Sequence, residues 1–177
     1  TASATSESIP FVAGGDSHAS QTNKAQREQI SRTMATFNPS FVVQTGDYYD
    51  SDTSSNWPLW LADVENNWVG SNGLTIPLIG AVGNHEGSAN TFRGQFNFPG
   101  NELWYSLNWG PNLHIIVLDS EYDVSGNQLT WLKQDLAANQ YVKWKVVLFH
   151  QPPYSSGWHG GNVGIRNAWC SVFDQYG

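Results

Sequence analysis

The chain has 177 residues, with eight Lys plus Arg against fifteen Asp plus Glu and a formal net charge of −7. That balance argues against a nucleic-acid polymer or an anionic membrane as the main partner, because both are held by clustered Lys and Arg. With 40% hydrophobic and 14% aromatic residues, nine of them Trp, the chain has the material for a sizeable core and is not intrinsically disordered.

The longest apolar runs, Leu113 to Leu118 and Val146 to Phe149, fall far short of the roughly 20 residues that span a bilayer, so no membrane insertion is expected. One cysteine, Cys170, excludes an internal disulfide framework and a Cys-rich zinc site. The Ser/Thr/Ala-rich start predicts a flexible segment over residues 1–8 ahead of a single domain over 9–177. Few Lys residues and abundant Asn, Ser, Gly and Trp point to an extracellular or periplasmic, secreted protein.

In chain order, Ile9 to Ala13 reads as a buried strand, and Ile30, Met34 and Phe37 mark the apolar face of a helix over Ala25 to Phe37. Strands follow at Phe41 to Thr45 and Ile76 to Val82, with a helix over Leu59 to Trp68 between them. Trp104 to Leu107 and Leu113 to Leu118 form a pair of strands around Asn108-Trp109-Gly110-Pro111. Ser125 with Gln128 is a capping-box pattern, and Leu129, Leu132 and Leu136 mark one face of the helix it opens. Val146 to Phe149 is another apolar strand, and Ile165 to Tyr176 a final helix. This alternation predicts an α/β layered fold with sheets covered on at least one face.

Four of the apolar strands run straight into residues able to bind a metal: Gly15-Asp16-Ser17-His18, Gly46-Asp47-Tyr48-Tyr49-Asp50, Gly83-Asn84-His85-Glu86 and His150. The carboxyl ends of strands form the ligand crevice of α/β sheets, so these endings are expected to converge. The preceding glycines suit a sharp exit from the sheet. Carboxylate, amide oxygen and imidazole together suit Zn, Mn, Fe or Mg, and a carboxylate has two oxygens with which to bridge two ions. Asp47 is the candidate bridge.

The set Asp16-x-His18, Gly46-Asp47-x-x-Asp50, Gly83-Asn84-His85-Glu86 and Val147-x-x-His150 resembles the first four motifs of the calcineurin-like metallophosphoesterases. In the second half, Trp104-Tyr105-Ser106, His114 to Ser120 and Gln151 to Gly160 are similar to the purple acid phosphatase branch. The resemblance implies a sandwich of two central mixed β-sheets flanked by helices, holding two divalent or trivalent metal ions. Asp16 and His18 would ligate the first ion, Asp47 would bridge, and Asn84 and His150 would ligate the second. His85 would bind phosphate and protonate the leaving oxygen, His159 would face substrate, and Asp50 and Glu86 would orient these groups.

The implied reaction is hydrolysis of a small phosphate monoester by a hydroxide held between the ions; a phosphodiesterase or nucleotidase, and a non-catalytic scaffold, are the alternatives. Two departures stand out. Tyr48 and Tyr49 miss the offset at which the purple enzymes place their iron-binding tyrosine, so a colourless enzyme is expected. The family's Gly-His-x-His motif has no counterpart among histidines 18, 85, 114, 150 and 159, and the resemblance implies a domain continued beyond Gly177 by a segment that carries it. His114, inside an apolar strand, is expected to be a hydrogen-bonded core residue, and Asp119 a turn residue.

Overall fold

Strand pairing organises the chain into two sheets, as seen in a computed structural model describing residues 8–50, 56–87 and 89–177. The first sheet is parallel, in the order β1 (Phe11–Gly14), β2 (Phe41–Gln44), β3 (Leu78–Gly80). The second is mixed: β4 (Tyr105–Trp109) runs antiparallel to β5 (Leu113–Val117), and β6 (Trp144–Leu148) runs parallel to β5. The segment expected to be flexible, 1–8, lies outside the described residues except for Ser8.

Side-chain alternation along the central strands decides the layering. On β2, Phe41 and Val43 enter a core shared with Ile79 and with Tyr105, Ile115 and Val117 of the other sheet. Val42, between them, faces the opposite way, into a cluster with Met34, Trp60 and Trp68. On β5, Ile116 likewise turns outward to meet Leu132, Leu136, Trp169 and Val172. A period of two along strands buried on both faces therefore forces helices onto each outer surface. These are α1 (Lys24–Thr36) and α2 (Trp57–Asn67) on one side, and α4 (Gly126–Ala138) with α6 (Ser171–Tyr176) on the other. The result is the expected two-sheet sandwich flanked by helices, except that the first sheet is parallel among the described strands where a mixed one is expected.

Several local expectations are corrected. β1 is mostly exposed rather than buried, because it is the edge strand and has β2 as its one partner among the described residues. On α1 the buried positions are Arg27, Ser31 and Met34, whereas Ile30 and Phe37 are 69% and 68% exposed. Polar groups override the apolar pattern there: Arg27 Nε donates to Asp63 of α2 at 2.7 Å, and Ser31 Oγ accepts from the Trp68 indole at 3.1 Å. The capping box at Ser125 does not form. Gln128 is instead buried, its amide bonded to both the N–H and the C=O of Asp119. β3 is shorter than expected, and the last helix is three pieces, α5 (Val163–Ile165), a π turn (Arg166–Cys170) and α6. The sequence pattern also missed a 3-10 turn at Asn84–Glu86 and the single-turn α3 (Asn90–Arg93), both too short to show periodicity.

Trp57, Trp60 and Trp68 are core residues, packed with Tyr48, Tyr49 and Phe92 beside the first sheet. The Tyr48 and Tyr49 rings lie 5.3 and 5.0 Å from that of Trp57, which takes both phenols into the aromatic cluster.

Candidate metal centre

Because β1, β2 and β3 are parallel and in register, their carboxyl ends fall on one edge, with Gly14 opposite Gln44 and Gln44 opposite Gly80. The loop after β1 stays on the loop after β2: Asp16, His18 and Ala19 donate their N–H groups to the carbonyls of Gly46, Asp47 and Tyr48 at 3.1, 3.1 and 2.8 Å. Asp16, His18 and Asp47 all adopt positive φ, at 51°, 42° and 55°. Non-glycine residues rarely sit there, and such strain clusters at functional sites. Of the three expected turn glycines, Gly46 is left-handed, at φ 106°. Gly83 is extended and serves close approach instead, since a Cβ on it would strike the Asp47 amide and carboxylate. A Cβ on Gly46 would lie 2.6 Å from the Gly83 Cα, so the loops after β2 and β3 meet backbone to backbone.

Glu86 secures that junction. Its fully buried carboxylate accepts the N–H groups of Asp47, Tyr48 and Gly83 at 2.9, 2.9 and 2.7 Å. Burial raises its pKa, and the three backbone donors oppose that rise. Glu86 thus orients the loop that carries Asp47.

The Asp47 carboxylate sits at the centre. Its Oδ2 lies 3.4 Å from His150 Nε2, 3.6 Å from His18 Nε2 and 3.8 Å from His85 Nε2. Its Oδ1 accepts the His85 N–H at 2.9 Å. Asp16 Oδ1 lies 3.8 Å from His18 Nε2. His150 Nε2 is 3.0 Å from Asn84 Oδ1, which also accepts from the Gln151 amide at 3.2 Å. The structure therefore brings Asp16, His18, Asp47, Asn84, His85 and His150 together. Gln151 joins them through Asn84, and its place directly after His150 at a strand end is the sequence signal for it.

Two imidazoles have their tautomers set by the backbone. His85 Nδ1 donates to the Asp50 carbonyl at 2.6 Å, and His150 Nδ1 to the Thr45 carbonyl at 3.0 Å. Each Nε2 lone pair is thereby turned toward Asp47, and that of His150 toward the Asn84 oxygen as well. Acceptors facing acceptors are reconciled by a metal ion or a proton between them. The titration of the pair shows that a proton also fills this role: burial would lower the His150 pKa, but Asp47 raises it to about 9, so Nε2–H donates toward Asp47 and Asn84. Burial would raise the Asp47 pKa, yet His150 and His85 leave it lowered.

Ligand atoms bound at about 2.0–2.2 Å to one ion are separated by roughly 3–3.5 Å, close to the spacings seen here. Two sets have ligand atoms within 4.8 Å of one another: His18 with Asp47 and His85, and Asp16 with Asp47 and His150. Asp47 is common to both, as a bridge requires. Within these sets Asp16 falls with His150 and His85 with His18, whose rings meet edge to face at 4.6 Å, while the expected pair Asp16 and His18 also lies at 3.8 Å.

Other sequence candidates lie elsewhere. His159 is exposed and contacts the Trp158 ring at 4.2 Å, and it has no hydrogen bond or ion pair to the Asp47 cluster among the described residues. Trp158 is 92% exposed. On the same stretch of chain, Arg166 donates twice to the Pro153 carbonyl and stacks on Tyr154, with no ion pair among the described residues. His114 is buried, with Nε2 at 2.7 Å from Asp135 and Nδ1 at 2.7 Å from Asn108.

A two-sheet sandwich carrying carboxylate, amide and imidazole ligands at its strand ends is the architecture of a metal-dependent phosphoesterase. The chain belongs to the calcineurin-like phosphoesterase family, whose model matches residues 9–175. It lies on the purple-acid-phosphatase-like branch. Purple acid phosphatase 15 of Arabidopsis thaliana is 34% identical over 119 residues, covering 56% of this chain and 21% of that protein. The purple acid phosphatase PPD1 of yellow lupin seeds superposes with a TM-score of 0.75 at 18% identity, covering 94% of this chain and 35% of that one. GAP50, the anchor in the inner membrane complex of Plasmodium, superposes with a TM-score of 0.72 at 16% identity, over 95% of this chain and 62% of that one. The chain spans 21% to 34% of the length of the curated relatives it matches. No described helix is long and apolar enough to cross a membrane.

Proposed function

We propose that this domain hydrolyses phosphate monoesters with the help of two metal ions, for which Asp47 would be the shared ligand. The observation that carries the reading is the single Asp47 Oδ2 shared by three imidazole Nε2 atoms at 3.4 to 3.8 Å. Asp16, His18, Asn84 and His150 complete the ligand set. When bound, Zn, Mn, Fe or Mg supplies Lewis acidity and lowers the pKa of a coordinated water.

The chain's own residues do the rest. Asp47, held by Glu86, fixes the spacing of the centre. The Asp50 and Thr45 carbonyls keep the His85 and His150 rings in place, so no reorganisation is needed at the moment of reaction. His85, half-exposed beside Asp47, is placed to contact phosphate and to pass a proton to the departing alkoxide, a role worth about 10²- to 10⁴-fold. His159, on the exposed loop after β6, is retained as a substrate-facing residue. The lysine-poor composition supports an extracytoplasmic setting, and the buried tyrosines support a colourless centre.

The test is metal content by elemental mass spectrometry on protein purified without chelator, followed by turnover of p-nitrophenyl phosphate and bis-p-nitrophenyl phosphate. Two equivalents of metal and faster cleavage of the monoester are expected. Preferential cleavage of the diester would replace a monoesterase with a phosphodiesterase. Two bound metals without turnover of either ester would leave a scaffold.

A further inference from the structure

Beside the Asp47 cluster lies a cavity of about 520 Å³ that the metal ligands do not line. Two of its walls are joined to the cluster through short stretches of chain. Val82, Gly87 and Ala89 form one wall, and Gly87 is two residues beyond His85. Asp119, at the end of β5, stands on another wall. The next residue, Ser120, accepts the Gln151 N–H at 2.9 Å, and the Gln151 side chain donates to Asn84.

The lining defines what the cavity suits. The Trp104 and Tyr122 rings stack at 6.0 Å with their planes 26° apart, an aromatic pair in the lining. Hydrogen-bond donors come from Asn101 and Arg93. The Asn101 side-chain oxygen is occupied by the N–H groups of Leu103 and Trp104, while its NH2 makes no hydrogen bond among the described residues. Arg93 uses its Nε on Glu102 at 3.5 Å, and its terminal NH2 groups make no hydrogen bond among the described residues. Acceptors come from the carboxylates of Asp119 and Glu121.

We propose that this cavity binds the alcohol portion of the ester and that the preferred alcohol is an uncharged polyol of sugar size. The inference rests on the phosphomonoesterase reading and narrows its substrate class. The C–H face of a sugar ring packs on aromatic surface, and alternating donors and acceptors match its hydroxyls. A simple alkyl ester leaves those polar groups without partners, which a site built to hydrogen-bond a hydroxyl penalises. A second phosphate meets two carboxylates against a single guanidinium that is already paired.

The experiment compares kcat/KM for glucose 6-phosphate, methyl phosphate and glucose 1,6-bisphosphate on the metal-loaded protein, with Tyr122→Ala as the variant. Tyr122 is 62% exposed, so its truncation does not threaten the fold. Glucose 6-phosphate is expected to exceed both other esters by about tenfold or more, and Tyr122→Ala to collapse its advantage over methyl phosphate. In parallel, glucose at millimolar concentration should shift the Trp104 indole N–H resonance in wild type and not in Tyr122→Ala. Equal kcat/KM values, or a preference untouched by Tyr122→Ala, would overturn the proposal while leaving the phosphatase reading intact. Failure to cleave any of the esters would sink the phosphatase reading. The glucose titration would then decide the cavity alone, and an unmoved Trp104 resonance would sink that too.

Discussion

The Glu86 carboxylate accepts the Asp47 backbone N–H at 2.9 Å while Asp47 Oδ1 accepts that of His85 at 2.9 Å, so the loops after β2 and β3 hold each other. Glu86 reaches no other member of the ligand cluster by hydrogen bond or ion pair among the described residues; its effect on the centre passes through the Asp47 backbone. Glu86→Ala strands three buried N–H groups, each worth about 1–3 kcal/mol when left unpaired. We expect a loss of several kcal/mol in urea unfolding together with weakened metal binding. Metal affinity unchanged in a destabilised but folded Glu86→Ala protein would show that the Asp47 loop keeps its shape without it.

Asp47→Ala and His85→Ala separate bridge from proton donor. The first removes the atom common to both candidate ligand sets and should abolish metal binding and turnover alike. The second should retain metal and lower kcat by about 10²- to 10⁴-fold, most on esters with poor leaving groups. Loss of one metal equivalent in His85→Ala would instead make His85 a ligand, as its grouping with His18 and Asp47 allows.

Gly46→Ala tests the backbone contact. The residue adopts φ 106°, and a Cβ there would sit 2.6 Å from both the Cα and the N of Gly83. Left-handed strain costs on the order of 1–3 kcal/mol before the clash is counted. We expect a lowered melting temperature and a misplaced Asp47, read as reduced metal stoichiometry. A variant with wild-type melting temperature and metal content would refute the proposed close packing.

Asp119 gives a pH-dependent test away from the ligands. Burial pushes its carboxyl up from 3.8 to about 6, against the opposing N–H groups of Glu121 and Tyr122. A raised folded-state pKa means that the native state binds more protons than the unfolded state between these values. Its stabilising contribution is thus full below pH 3.8 and lost as pH rises to about 6. Asp119→Asn keeps an oxygen for the Glu121 N–H and removes the charge. The variant should match wild type in urea at pH 4 and exceed it by up to about 2–3 kcal/mol at pH 7.5. Equal stability of the two proteins at pH 7.5 would disprove the raised pKa.

Much of this was legible in the sequence. Period-two runs such as Phe41-Val42-Val43 carry their own layering information, because adjacent side chains on a strand must face opposite sides. Strand endings with Asp16, Asp47, Asn84 and His150 named the site, since parallel strands place their carboxyl ends on one edge. Local pattern failed where a distant partner outweighed it. Ile30 and Phe37 have the right spacing for a buried face, yet the Arg27–Asp63 ion pair turned α1 the other way. Ser125 and Gln128 have the right spacing for a cap, yet the Asp119 backbone claimed Gln128.

The sequence by itself determined which chemical groups the protein owns and the order in which its strands deliver them, because apolar periodicity and strand-end residues are local properties of the chain. Tertiary structure alone decided that Asp47 Oδ2 faces three imidazoles, that Glu86 serves the Asp47 loop, and that Trp104 and Tyr122 flank a cavity beside the cluster. Those relations join residues 18 to 103 positions apart, and no local rule fixes a distance between segments that meet only when both sheets have closed on their shared core.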